Sequence, residues 1–299
     1  MNGEDMGLTV DELAGCPKLV PGLKLLAGQL QTRFDANPRL ARYLASHQRW
    51  LMSQVGFALY LKHSTEPGHP GLTTGSLKAK ILPEKIASRN TVLTFLDQLL
   101  AYRFVQVSGD PAKRPRRFEV TMVCYEAMFG WFMLNLAALD LVDGGERVAI
   151  LQRRPELFKL AQPRFADAAV DDPTWRHPPR RVAMFLWTEA GGLVMDELIC
   201  QVNHTVDADW LPVGRLDART ISSHFMMSRT HLQRLFRKAV DADCLRWVDE
   251  RRTAVFMSRD YLAEYCRWHA VKLALVDEAF EWAIEALATD SVLRQRSAG

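Results

Sequence analysis

Ser88, Arg89, Asn90, Thr91 and Thr94 bring a guanidinium, a side-chain amide and three hydroxyls into seven consecutive residues, with Gln98 one turn further on. These are recognition groups. An arginine can contact guanine through two hydrogen bonds and an asparagine can do the same with adenine, each good pair discriminating by about 1 to 3 kcal/mol. Hydroxyls and the N-terminus of a helix suit phosphate oxygens. A few residues later Lys113, Arg114, Arg116 and Arg117 supply a cluster of positive charge, whose attraction for phosphate falls steeply with salt.

An amphipathic helix must position the first group. Val92, Phe95, Leu96 and Leu99 recur at helical spacing and form one apolar stripe, Ser88 is placed to cap the N-terminus, and Asn90, Thr91, Thr94 and Gln98 lie opposite the stripe with Arg89 at their flank. Asp97 also falls on that outer face. Upstream, the pattern predicts a long helix through ARYLASHQRWLMSQVGFALYLKH, with Leu44, Trp50, Leu51, Val55 and Leu59 as its buried stripe, and a break before it at Asn37 and Pro38. STEPGHPGLTTG reads as a loop, a short helix follows around Ser76 to Leu82, and Ile86 fills the core before Ser88. Downstream, FVQVSGDPAKRPRRFEVT reads as two short strands around a basic loop, and Thr121 caps a helix that Gly144 and Gly145 end.

The same pattern returns in the second half. Aligning Ser88-Arg89 with Ser228-Arg229 sets Val92 on Leu232, Phe95 on Leu235, Leu96 on Phe236, Val105 on Leu245 and Val107 on Trp247, at one constant offset of 140 residues. The candidate contacts of this copy are Ser228, Arg229, Thr230, His231, Arg234 and Lys238, with Arg251 and Arg252 at the tip of a shorter hairpin. Asp217 is placed to cap a preceding short helix with Ile221 pointing inward, and another long helix starts at Ser258. Positive charge follows the repeat: Gly71–Thr121 holds nine basic against four acidic residues and Arg215–Asp260 ten against six, although the whole chain of 299 residues carries only +3. The remainder is therefore acidic on balance.

Composition sets the frame for these two copies. With 48% hydrophobic and 24% charged residues the chain reads as an ordinary globular protein long enough for two domains. Its five cysteines are scattered without a C-x-x-C spacing, so they read as thiols, mostly buried, in a reducing compartment. The acidic N-terminus lacks the layout of a signal peptide, and the expected location is cytoplasmic. Met122–Val142 is apolar enough to raise a membrane span, but Glu126, Asn135 and Asp140 interrupt it, so a core or interface helix is expected. The proline-rich QPRFADAAVDDPTWRHPPRR reads as linker, RRVAMFLWTEAGGLVMDELICQV as one long apolar helix, and the domains as 1–145 and 146–299 with a hinge as late as 180. Cys266 and His269 share a helix face without two further ligands at zinc spacing, and no catalytic motif is visible, so no metal, cofactor or enzymatic activity is expected.

In its order of helix, helix and basic hairpin the chain resembles bacterial winged-helix transcription regulators of the multiple-antibiotic-resistance (MarR) type, twice over, across roughly 41–141 and 181–290. The second helix, LQRLFR, is also similar to a helix of arabinose-type activators. The resemblance implies a mainly α fold with small β-hairpin wings: two tandem winged helix-turn-helix domains in a pseudo-dimeric arrangement. It also implies that the helix after each serine enters the major groove of double-stranded DNA while the wing tip meets phosphate or the minor groove. By resemblance, Arg89, Asn90, Thr91 and Thr94 read bases in one copy and Arg229, Thr230, His231 and Arg234 in the other. Such regulators place one winged helix per chain and dimerise, whereas one chain here holds both and could act as a monomer. Two other roles fit the same fold: a plasmid-type replication initiator, and a tandem winged-helix scaffold that binds protein and not DNA.

Overall fold

The computed structural model describes residues 7–36, 38, 41–42, 45–110, 112, 114–188 and 190–297. Asn37, Leu44 and Lys113, to which the sequence assigned a helix break, a core position and a hairpin cation, lie outside them. The described chain is mainly helical with two small antiparallel sheets of three strands each. It divides into two compact units that interleave along the sequence. One is built from Leu51–Arg176 with the chain up to Thr9 and from Lys272 onward, and the other from Val10–Trp50 and His177–Val271. This differs from a single cut at 145/146, because the segment expected to be a linker folds into the first unit.

In the first unit, α3 (His47–Thr65, from Leu51) leads to β1 (Leu72–Thr73), α4 (Thr74–Ile81), α5 (Arg89–Ala101), β2 (Val105–Ser108) and β3 (Arg117–Val120). The strand order is β1-β3-β2, with Leu72 opposite Phe118 and Val105 opposite Val120. β1 lies inside the segment expected to be a loop; two residues are too few to show an alternating pattern. Thr73 starts α4 with a reciprocal capping box to Ser76, and Leu77, Ile81, Ile86, Val92, Phe95, Leu96, Phe104 and Phe118 form the core.

The rest of this unit is helical: α6 (Met122–Asp143), α7 (Arg147–Arg153), α8 (Leu157–Asp171), α9 (Pro173–Arg176) and the later part of α14 (Arg259–Ser297). The expected linker is α8 and α9. Phe158, Ala161, Phe165, Ala166, Ala169 and Val170 recur at helical spacing and are buried, and this burial outweighs the roughly 3 kcal/mol that an interior proline, Pro163, costs. Thr121 precedes α6 but does not cap it; its hydroxyl donates to the Phe104 carbonyl instead (3.2 Å). Gly144, at φ 82°, ends α6 in the left-handed region, as expected. Among the described residues α6 is the one helix long and apolar enough to cross a membrane by length and composition, and 39% of its apolar window is buried. Met122, Val123 and Leu141 on it are exposed.

The second unit begins with α1 (Val10–Gly15) and α2 (Leu19–Ala36), followed later by α10 (Arg180–Leu186) and α11 (Gly191–Gln201). The single apolar helix expected over 180–202 is thus two. Ala190 takes a left-handed φ of 57°, and a Cβ on Gly191 would stand 2.0 Å from the Phe185 carbonyl oxygen, so the chain turns where only glycine fits. Next come β4 (Trp210–Arg215), a strand absent from the sequence reading, α12 (Ala218–His224), α13 (Arg229–Asp241), β5 (Leu245–Trp247), β6 (Ala254–Ser258) and the start of α14. The strand order is β4-β6-β5, the arrangement of the first sheet.

Candidate nucleic-acid interface

The two copies match in backbone detail at the offset of 140. α5 and α13 are both 13 residues long and follow Ser88 and Ser228, whose Oγ atoms accept from the amides of Thr91 (3.1 Å) and His231 (3.2 Å). Both helices exit through a left-handed residue, Arg103 (φ 59°) and Asp243 (φ 53°), after which the amides of Phe104 and Cys244 bond back to Leu99 and Ala239. In each copy the chain then enters the first strand of the hairpin, β2 or β5, at the edge of its sheet. Val92, Phe95, Leu96 and Leu99 are buried on α5, as are Leu232, Leu235, Phe236 and Ala239 on α13. The apolar pattern thus fixes which side of each helix faces water.

On α5 the water side presents Arg89, Asn90, Leu93, Thr94 and Asp97. Thr91 is half-buried, and its hydroxyl bonds the Ser88 hydroxyl (2.8 Å), so both residues serve the cap. Leu93, 36% exposed, was absent from the expected polar face. In the hairpin Arg114 is exposed and Arg116 half-buried. Arg117, expected at the tip, instead lies in β3 opposite Thr73 and Ser108, where its guanidinium donates to the Ser108 hydroxyl (3.0 Å) and meets His63 Nε2 (2.9 Å). Register puts it in the last strand pair before the loop, and its hydrogen bonds hold the sheet to α3.

On α13 Ser228, Arg229, Thr230, His231, Gln233, Arg234, Arg237 and Lys238 are all exposed, and the side chains of Arg229, Arg234, Arg237 and Lys238 have no ion-pair partner among the described residues. Several cations elsewhere are tied down. Lys62 and Lys80 share Asp167, Arg164 pairs with Glu278, and Arg181 with Glu264. Lys62, Asp167, Arg164 and Glu278 also line a cleft of about 510 Å³ in the first unit, whose walls therefore carry largely mutually neutralised charge. Arg251 and Arg252 are exposed at the second hairpin tip, beside Asp249 and Glu250. Arg246 is placed differently, stacked over Trp210 (4.6 Å) and Phe256 (5.5 Å) on the outer side of the sheet.

Gln233 is the residue of this face that the sequence did not single out, and Arg237 counted there as basic surface on the helix without being placed among the candidate contacts. The signal was present: positions 230, 233, 234 and 237 follow i, i+3, i+4, i+7 spacing directly opposite the buried stripe. All five cysteines are free; Cys244 and Cys266 are buried and the other three partly exposed. Burial pushes the thiols of Cys244 and Cys266 up to about 12 and that of Cys124 to about 11. Among the described residues no group of three or more His, Cys, Asp or Glu is arranged to hold a metal ion. Compared with protein-family models, with curated proteins and with solved structures, the chain matches none of them.

Proposed function

We propose that this chain binds double-stranded DNA in a sequence-dependent way and regulates transcription, acting in the cytoplasm through two winged-helix modules. The modules are α3 to β3 in the first unit and α11 to β6 in the second. Three features support the fold reading: a strand between the first two helices, a capped and exposed third helix, and a hairpin whose second strand lies central in the sheet. The observation that carries the function is the solvent face of α13, where Arg229, Arg234, Arg237 and Lys238 stand around Thr230 and Gln233 without counter-ions among the described residues. A protein surface gains little from four unpaired cations on one helix face unless a polyanion neutralises them.

Selection of bound fragments from genomic DNA, followed by titration of a selected duplex over a salt series, tests this reading. The logarithm of the affinity should fall linearly with the logarithm of salt, by about 0.9 for each phosphate neutralised, and a scrambled duplex should bind more weakly. Absence of binding at low salt, or binding indifferent to salt, would refute DNA as the ligand.

A further inference from the structure

We infer that the two copies are unequal: α13 reads the groove and determines sequence preference, and its structural equivalent α5 does not. The inference rests on the DNA-binding reading and deepens it. Because the backbones coincide at one offset from cap to exit, each outward position of α5 has a counterpart on α13, and the comparison is residue by residue. Asn90 faces out where α13 has Thr230, Leu93 where it has Gln233, Thr94 where it has Arg234, Asp97 where it has Arg237, and Gln98 where it has Lys238.

Four of these differences point the same way. Asp97 reverses the charge at a position near the centre of the outward face, and a carboxylate entering a groove flanked by phosphates meets repulsion with only the amino groups of cytosine and adenine to repay it. Leu93 replaces an amide able to pair with adenine by an apolar side chain whose one useful partner is a thymine methyl. Thr94 and Gln98 remove two cations that α13 presents. Arg89 is the only cation on the α5 face, against four on α13. The hydrogen bonds of Arg117 to His63 and Ser108 also hold that guanidinium against the sheet and α3.

Matched backbones allow a reciprocal exchange in the full chain. Arg234→Thr with Arg237→Asp installs the α5 residues on α13; the side chains are exposed, so the urea transition should stay where it is. Affinity for the selected duplex should fall on the order of a hundredfold, to the level of a scrambled one, with the salt slope reduced by about 2. Adding Thr94→Arg with Asp97→Arg to that variant should restore salt-dependent duplex binding on the order of tenfold, because α5 then carries the charges that α13 has lost. If the α13 variant still prefers the selected duplex over the scrambled one by about tenfold or more, α5 is reading sequence and the inference fails while the DNA reading stands. Failure of the second pair to restore binding also overturns it. Absence of salt-dependent binding by the unaltered chain removes the DNA reading itself, before any variant is compared.

Discussion

Residues with the same charge do opposite work in this chain, depending on what surrounds them. Arg147 is buried in the first unit, where its Nε donates to Asp277 (2.6 Å) and its Nη2 to Asp143 (2.8 Å), while the Leu8 amide donates to the other oxygen of Asp277 (2.7 Å). Burial alone would lower the guanidinium pKa, but its hydrogen bonds to Asp143 and Asp277 outweigh that and raise it. Asp277 is fully buried, so Arg147→Ala strands a carboxylate without its counter-ion. A loss of about 3 to 5 kcal/mol in urea unfolding is expected, and Arg147→Met with Asp277→Leu should recover much of it. A double variant no more stable than Arg147→Ala alone would show that the pair does not act as a unit. Arg117 and Arg147 each bond one partner near in sequence, Ser108 and Asp143, and one from a distant segment, His63 and Asp277, and only folding brings the distant partner in.

At the scale of elements, apolar periodicity decided more than local breakers did. α8 forms through Pro163 because its buried stripe is continuous, whereas the apolar run at 180–202 breaks because Gly191 allows a close approach between α10 and α11. Gly191→Ala should therefore destabilise the second unit by about 3 kcal/mol or more, since its Cβ would meet the Phe185 carbonyl and a backbone atom cannot swing away as a side chain can. An unchanged thermal midpoint would mean that the turn relaxes freely. The recognition-type helices were the most legible elements: α5 and α13 start at the serines that the sequence marks and bury the residues that it assigns. The edge strands β1 and β4 were not legible, because pairing with β3 and β6 is a long-range event that two residues in one case, and a strand with a register shift between Pro212 and Gly214 in the other, do not announce.

For the molecule as a whole, the paired charges set its response to pH. Asp167 accepts from Lys62 and Lys80 (2.9 Å for the latter), and although burial pushes its carboxyl up, those two ammonium groups hold it below the ordinary carboxylate range. The Lys80 ammonium is held above its own usual value, chiefly by the hydrogen bond to Asp167. A depressed carboxyl contributes stability that is present above its unfolded pKa, about 3.9, and lost as pH falls through the folded one; a raised ammonium contributes stability that is lost only as pH rises through its folded value. The triad is therefore complete at neutral pH and fails first in acid. Asp167→Asn should lower the urea midpoint at pH 7 and reduce its fall below about pH 4; parallel acid profiles for the two proteins would refute this.

What the sequence determined by itself was local and repetitive. The period of Val92, Phe95, Leu96 and Leu99, repeated at Leu232, Leu235, Phe236 and Ala239, is enough to define two helices, their caps and their solvent faces, because burying a stripe at helical spacing leaves one solution. Tertiary structure alone decided which arginines are free and which are bound, and how the chain divides. Arg117 is taken up by His63 and Arg147 by Asp277, through contacts that span 54 and 130 residues, while the four cations of α13 meet no partner among the described residues. Such pairing depends on which distant segments fold together, and no period along the chain encodes it.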